Sequence, residues 1–261
     1  MMIYHYTSIE TLALILKNKT IRFNRLDHVD DMEESMYPSG FNKTYLGQYA
    51  FVSCWTKSAK ENIPLWEKYT KFKGVRIGLD DKLFKVYKFF NMDTLIEPPF
   101  TFVENCWLQS ILNEYKLFDV QYIEDLEERK FKAITKDSEE IKVAIREACL
   151  FKRNHWQFQN ESRFLLIGMP IGEEAAKCCN GADNVTNLIN LTCSAISSML
   201  NNEPLDRDYI DLPLDEEKLK HIEVTMGPMT SEGYRYIVKC LLKDYPDAVI
   251  KDSIFNGKIR K

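Results

Sequence analysis

The chain has 261 residues, 45% of them hydrophobic and 28% charged, and its 35 basic side chains nearly balance 39 acidic ones. This is an ordinary globular composition, long enough to bury roughly three quarters of the unfolded surface without a disulfide or metal staple. A net charge of −4 picks out no polyanionic partner, no stretch nears the roughly 18 apolar residues of a membrane span, and the start MMIYHYTSIE lacks signal-peptide features, so a cytoplasmic location and no membrane partner are expected.

An alternating run over Ile3–Thr7 predicts a strand, and Thr7-Ser8-Ile9-Glu10 fits a capping box that opens a helix with Ile9, Leu12, Ala13 and Leu16 on one face. Asn18-Lys19 end that helix and TIRF begins a second strand. A polar, acid-rich loop follows to Thr44, and AFVSCW reads as a buried strand. Ser58 through Glu61 offers a second capping box for the helix PLWEKYTKF, with Pro64 in its first turn, and GVRIGLD is a further strand. Downstream, DDKLFKVYKFF reads as a short helix, Pro98-Pro99 as a break, and TFVENCW and LFDVQYI as strands. Ser138–Lys152 has an apolar stripe of Ile141, Ala144, Ile145, Ala148 and Cys149 and is predicted as an amphipathic helix. NESRFLLIG, YIDLP, HIEVTMGP and DAVIKDS read as strands, and residues 183–200 and SEGYRYIVKCLL as helices. The sum is a single α+β domain over 1–261, with a helical insertion around 170–205.

No phosphate-binding glycine loop, HExxH or GxSxG motif is present. The seven cysteines are odd in number and form no CxxC pair; reduced thiols are expected, with Cys149/His155 and Cys178/Cys179 the nearest approach to metal-ligand pairs. His5 lies mid-strand, where it is either a core histidine bonded to backbone or a donor that orients a ligand. Glu161 and Arg163 share one strand face opposite Phe164 and Leu166. Either they form a surface ion pair worth under about 1 kcal/mol, or the carboxylate stabilises positive charge developing on a sugar in a cleft. Trp156 and Phe158 wall that site or fill the core. Trp66 and Tyr69 share a helix face, with core preferred for Trp66. Lys68, Lys71 and Lys73, interleaved with Tyr69 and Phe72, form the one basic-aromatic stretch, read as a solvated helix end in preference to a nucleic-acid contact.

In order, YHYTS at 4–8, the acidic Asp30, Asp31 and Glu33, FVSCW at 51–55, LWEKY at 65–69, GVRIGLD at 74–80, NESRFLL at 160–166 and VTMGP at 224–228 form a specific set. On these residues the chain resembles the bacterial and phage family catalogued as domain of unknown function 2971, from His5 to about Ser253. That family in turn resembles a divergent branch of the ADP-ribosyltransferase superfamily. The resemblance implies a split, mainly antiparallel sheet with flanking helices, NAD as substrate, and an acceptor that is a protein or a nucleic acid, in phage defence or as a toxin. It places His5 on the nicotinamide ribose, with Tyr6 and Thr7 of the same HYTS start beside the NAD site, and Glu161 as the catalytic carboxylate. Tyr69, Tyr6 or Trp66 supplies the aromatic face for nicotinamide, Ser53 braces the NAD site, and Arg163 reaches the pyrophosphate or braces Glu161. On the reading that no E-x-E or Q-x-E pair accompanies Glu161, arginine acceptors are not expected. An NAD glycohydrolase in the same cleft and a non-catalytic nucleotide-binding module are the alternatives. Joint action of His5 and Glu161 requires both to open into one cleft; placement on opposite faces of the sheet counts against it.

Overall fold

The computed structural model describes residues 1–35, 46–85, 100–103, 106–109, 116–125, 134–136, 141–143, 149–170 and 185–260. Pro98, Pro99, Cys178 and Cys179 lie outside them. The described residues form a mixed α+β structure around a mainly antiparallel sheet.

The chain opens β1 (Met2–Thr7), α1 (Ile9–Asn18), β2 (Thr20–Arg25). Thr7 still pairs with Val75, so the extended strand runs one residue further than the expected cap; Ser8 caps α1 instead, its Oγ accepting from the Thr11 N–H at 3.1 Å. Lys19 then closes α1 in the left-handed region at φ 54°, and the chain turns directly into β2. After β3 (Ala50–Thr56), α2 (Ile63–Thr70) starts later than the Ser58 box predicts. Arg76 Nη2 donates to the Ser58 and Ala59 carbonyls at 3.0 and 2.9 Å and holds that stretch out of the helix, so Asn62 becomes the cap, accepting from Leu65 N–H at 3.2 Å.

β4 (Val75–Asp80) pairs with β1 over six residues and with β14 (Glu223–Met226), which carries β15 (Val249–Asp252) in parallel. On the other side, β3 pairs along its length with β12 (Glu161–Pro170), followed by β6 (Cys106–Gln109) and β5 (Phe100–Val103). β7 (Leu117–Asp119) also pairs with β12, and β13 (Tyr209–Pro213) with β2. One feature of this pattern positions the site. With β12 on one edge of β3, both β2 and β1 share the other: β2 pairs at Phe51 and Val52, β1 only at Thr56. Between those points β1 and β2 diverge from each other, joined by α1, and the edge of β3 from Ser53 to Trp55 faces an open fork.

One sheet face carries the main core, in which Ile3, Ile77, Val224, Phe164 and Leu166 meet Leu12 and Ile15 of α1 and Ala195 and Met199 of α3 (Val185–Leu200). Burial of such side chains contributes about 1.5–3 kcal/mol each before chain entropy is counted. On the opposite face Tyr6, Leu65 and Trp66 form a second cluster under α2, with Phe158 and Phe255 against it. Two further helices, α4 (Glu216–Lys220) and α5 (Glu232–Leu241), flank the β13–β15 region.

Several expectations are corrected. Ser138–Lys152 is not one helix: Ile141–Val143 is strand β10, paired with β9 (Ile134–Lys136), and Phe151–Arg153 is strand β11, paired in parallel with β8 (Gln121–Ile123). Its apolar stripe matched a helical period, but tertiary strand pairing overrides local propensity here. In the short helix predicted over DDKLFKVYKFF, the described residues 81–85 are not helical. Phe84 bridges Leu214 and buries its ring 5.0 Å from that of Phe164. LFDVQYI is two strands broken at Val120, whose N–H donates to the Glu161 carbonyl at 3.0 Å as the chain leaves β12 for β11. TFVENCW likewise divides into β5 and β6.

Candidate functional site

The fork opens into a cleft of about 500 Å³, within the range of small-molecule sites. Its walls are β1, the outer turns of α1, β2, the fork edge of β3, and Tyr69 of α2, with Glu161, Lys152 and Gln159 at one end. His5, Tyr6, Thr7, Ser53, Tyr69 and Glu161 all line it, whereas Trp66 and Arg163 do not.

His5 spans the fork. The Cys54 carbonyl has no strand partner on that edge, and His5 Nδ1 bonds it at 2.8 Å while the ring lies 5.3 Å from Trp55. His5 is thus bonded to backbone, and it also lines the cleft. Burial lowers its pKa against the opposing effect of the Cys54 carbonyl, so the ring is neutral near pH 7 with Nδ1–H donating. Tyr4, Thr56 and Glu161 form one cross-strand row, which puts His5, one residue on, at the opposite pleat. The two candidate groups thus leave the sheet on alternate faces and border one cavity because the cavity passes through the fork.

Glu161 and Arg163 are neither a surface pair nor open to solvent. Arg163 is fully buried and Glu161 is 6% exposed, and they belong to a quartet with two residues not singled out from sequence, Glu34 and Lys152, at 1% and 2% exposure. Arg163 Nε and Nη2 meet Glu161 Oε1 at 2.8 and 2.6 Å, and its Nη1 donates to Glu34 Oε2 and to the Cys149 carbonyl, both at 2.8 Å. Lys152 Nζ donates to Glu161 Oε2 at 2.8 Å and Gln159 Oε1 at 2.9 Å and forms an ion pair with Glu34 Oε1 at 3.2 Å. Two acids and two bases cancel, which is how four charges are accommodated in low dielectric. Burial alone would raise the Glu161 pKa; Arg163 and Lys152 outweigh it and hold the carboxyl at about 2. Glu34, with one well-aligned bond, is shifted up by burial. Burial and the Glu161 charge drive the Cys54 thiol well above its ordinary range, so it is unreactive at neutral pH.

Tyr69 is 39% exposed, yet its hydroxyl is fixed at both ends, donating to Asp30 Oδ2 at 2.9 Å and accepting from Gln159 Nε2 at 2.6 Å. Burial and Asp30 raise its pKa, so it stays a phenol. Tyr6 turns an edge to Trp66 at 4.8 Å and accepts from the Asn62 N–H. Trp66 is fully buried and donates to Glu61. Among the three candidates for an aromatic wall, Tyr69 is thus the one on the cleft with a partly exposed ring. Ser53 Oγ accepts from Trp55 Nε1 at 2.9 Å. Phe158 belongs to the second core cluster, and Trp156 carries Lys68 over its ring at 4.6 Å. Lys68 also pairs with Asp30 at 3.1 Å, so the basic-aromatic stretch spends that charge within the fold.

Arg163 is placed as a brace for Glu161 rather than at an anion site, since its donors face Glu161, Glu34 and Cys149. The sequence reading also overlooked Gln159. It stands two residues before Glu161 and forms a Q-x-E spacing, so the ground for setting aside arginine acceptors falls. Lys152 and Glu34 carried no sequence signal beyond their charge; Glu34 sat in a run read as a polar, acid-rich loop, and Lys152 in a segment read as helix. No family model, curated protein or solved structure matches the chain.

Proposed function

We propose that the fork cleft binds NAD and that the chain is an ADP-ribosyltransferase with a split sheet of that superfamily's type. The observation that carries this reading is the single cavity that His5, Thr7, Ser53, Tyr69 and Glu161 all line. In the proposed reaction the bond between nicotinamide and ribose breaks, nicotinamide leaves with the electron pair, and the acceptor's nucleophile bonds to the ribose carbon as its proton is lost. The ribose passes through an oxocarbenium-like centre, which a carboxylate stabilises. Glu161 suits that role because it is ionised at every physiological pH and rigidly held. A fixed phenol at Tyr69 and a neutral imidazole at His5 supply orientation.

The same quartet favours a second reading, a nucleotide-binding module without turnover, because Arg163 and Lys152 compensate the charge that Glu161 would direct at the cleft. Incubation with labelled NAD, with and without cell lysate, beside Glu161→Gln and His5→Ala, separates the readings. Label moved to an acceptor, and lost in Glu161→Gln, supports the transferase; free ADP-ribose without acceptor supports a glycohydrolase. NAD binding with no consumption by any form supports the binding module, and no binding at all refutes both.

A further inference from the structure

We propose that Glu34 is a positioning residue that couples the cleft wall to the carboxylate of Glu161, an inference that rests on the function proposed above. Residues 26–35 fold as two tight 3-10 turns, Leu26–His28 and Met32–Ser35. His28, Val29 and Asp30 at its centre line the cleft, while Glu34, four residues on, sits between the two cations that hold Glu161. The stretch between is stiff: Asp31 Oδ1 accepts the Glu33 N–H at 3.1 Å, and Glu33 pairs with Arg153 at 2.5 Å. Asp30 is pinned by Lys68 and Tyr69. A ligand that displaces the wall at Val29 and Asp30 therefore displaces Glu34 as well.

The electrostatic consequence follows from charge counting. With Glu34 in place, Arg163 and Lys152 are shared between two carboxylates and the quartet is neutral. With Glu34 withdrawn, both cations fall on Glu161 and the site carries one net positive charge, the wrong sign for a cationic sugar in the cleft. Glu34 thus sets how much of the Glu161 charge acts on the ligand.

Cys54 reports this without NAD. Its thiol contacts Glu161 and faces Arg163 on β12, Lys152 on β11 and Tyr69 on α2, while His5 on β1 bonds the Cys54 backbone carbonyl. Glu34→Gln leaves an excess positive charge, so the pH midpoint for iodoacetamide alkylation of Cys54, followed by site-resolved mass spectrometry, is expected to fall. NAD consumption is expected to lose roughly tenfold or more in kcat, with KM within about twofold. Glu34→Asp, which keeps the charge, should leave the midpoint near that of the unaltered protein. A simple loosening of the fold would also lower the midpoint, because it exposes the buried thiol, but would do so in Glu34→Asp as well; a midpoint that falls alike in both variants overturns the proposal. An unmoved midpoint overturns the proposal. A moved midpoint in a protein that consumes no NAD upholds the coupling and overturns the transferase reading alone. If Glu34→Gln does not fold, hydrogen exchange on the unaltered protein decides. Adding NAD should protect residues 26–35 and 159–163 together; protection of the first segment alone overturns the coupling.

Discussion

Lys152→Met tests the buried quartet most directly, because methionine fills similar space and removes only the charge and its bonds. The side chain is 2% exposed, and its Nζ holds Glu161, Gln159 and Glu34 at once. Removing it leaves Glu34 and Glu161 to share Arg163, a buried net negative charge. Breaking a buried pair in this way costs about 3–5 kcal/mol, against under about 1 kcal/mol for an exposed one. The deficit at pH 7 is therefore expected near 3 kcal/mol or above, measured by urea unfolding with tryptophan fluorescence. It should shrink as the pH falls from 7, because Glu34, already shifted upward by burial, takes up a proton and restores neutrality. Adding Glu34→Gln to Lys152→Met restores the same neutrality by mutation, and more than half of the lost stability should return. A cost below about 1 kcal/mol, or a double variant no better than the sum of the two singles, would refute the reasoning.

Three further outcomes are expected. The Glu161 carboxyl titrates at about 2 in the fold against an ordinary 4.5, so its contribution to stability, roughly 3 kcal/mol, is complete above pH 4.5 and lost as the pH falls toward 2; a denaturation series over that window should show the loss, and Glu161→Gln should flatten it. Tyr69→Phe removes the donor to Asp30 and strands Gln159 Nε2, and should cost about 1–3 kcal/mol in thermal unfolding and weaken NAD binding, read by titration calorimetry; unchanged values in both would show that the hydroxyl is not fixed as described. Gly74→Ala would set a Cβ 2.3 Å from the Thr7 carbonyl oxygen, forcing β4 from β1 beside the cleft, and should lower the melting temperature far more than Gly233→Ala, where the nearest atom is 3.9 Å away.

Local patterns carried most of the fold. The β1–α1–β2 opening was legible because a period of two, a cap and a period of 3.6 follow one another within Ile3–Phe23, and β3, β4, β12, β13 and β14 were legible as apolar runs between turn residues. Where neighbours in space outvote neighbours in sequence, the reading failed. Ile141–Val143 pairs with Ile134–Lys136, and no spacing within 138–152 announces that partner. The caps moved for the same reason, to Ser8 and Asn62, because Val75 and Arg76 hold the preceding residues extended.

By itself, the order of residues determined that His5 and Glu161 lie on strands, that Glu161 and Arg163 share a face, and that Tyr69 rides a helix nearby. Only the tertiary structure decided what those residues do. The fork on one edge of β3 lets residues of opposite pleat, His5 and Glu161, border one cavity. The burial of Glu34, Lys152, Glu161 and Arg163 together turns four charges, spread over 130 positions, into one neutral unit. Chain composition near electrical balance was compatible with many surfaces; that balance is kept residue by residue inside the site because unpaired charge is too costly to bury.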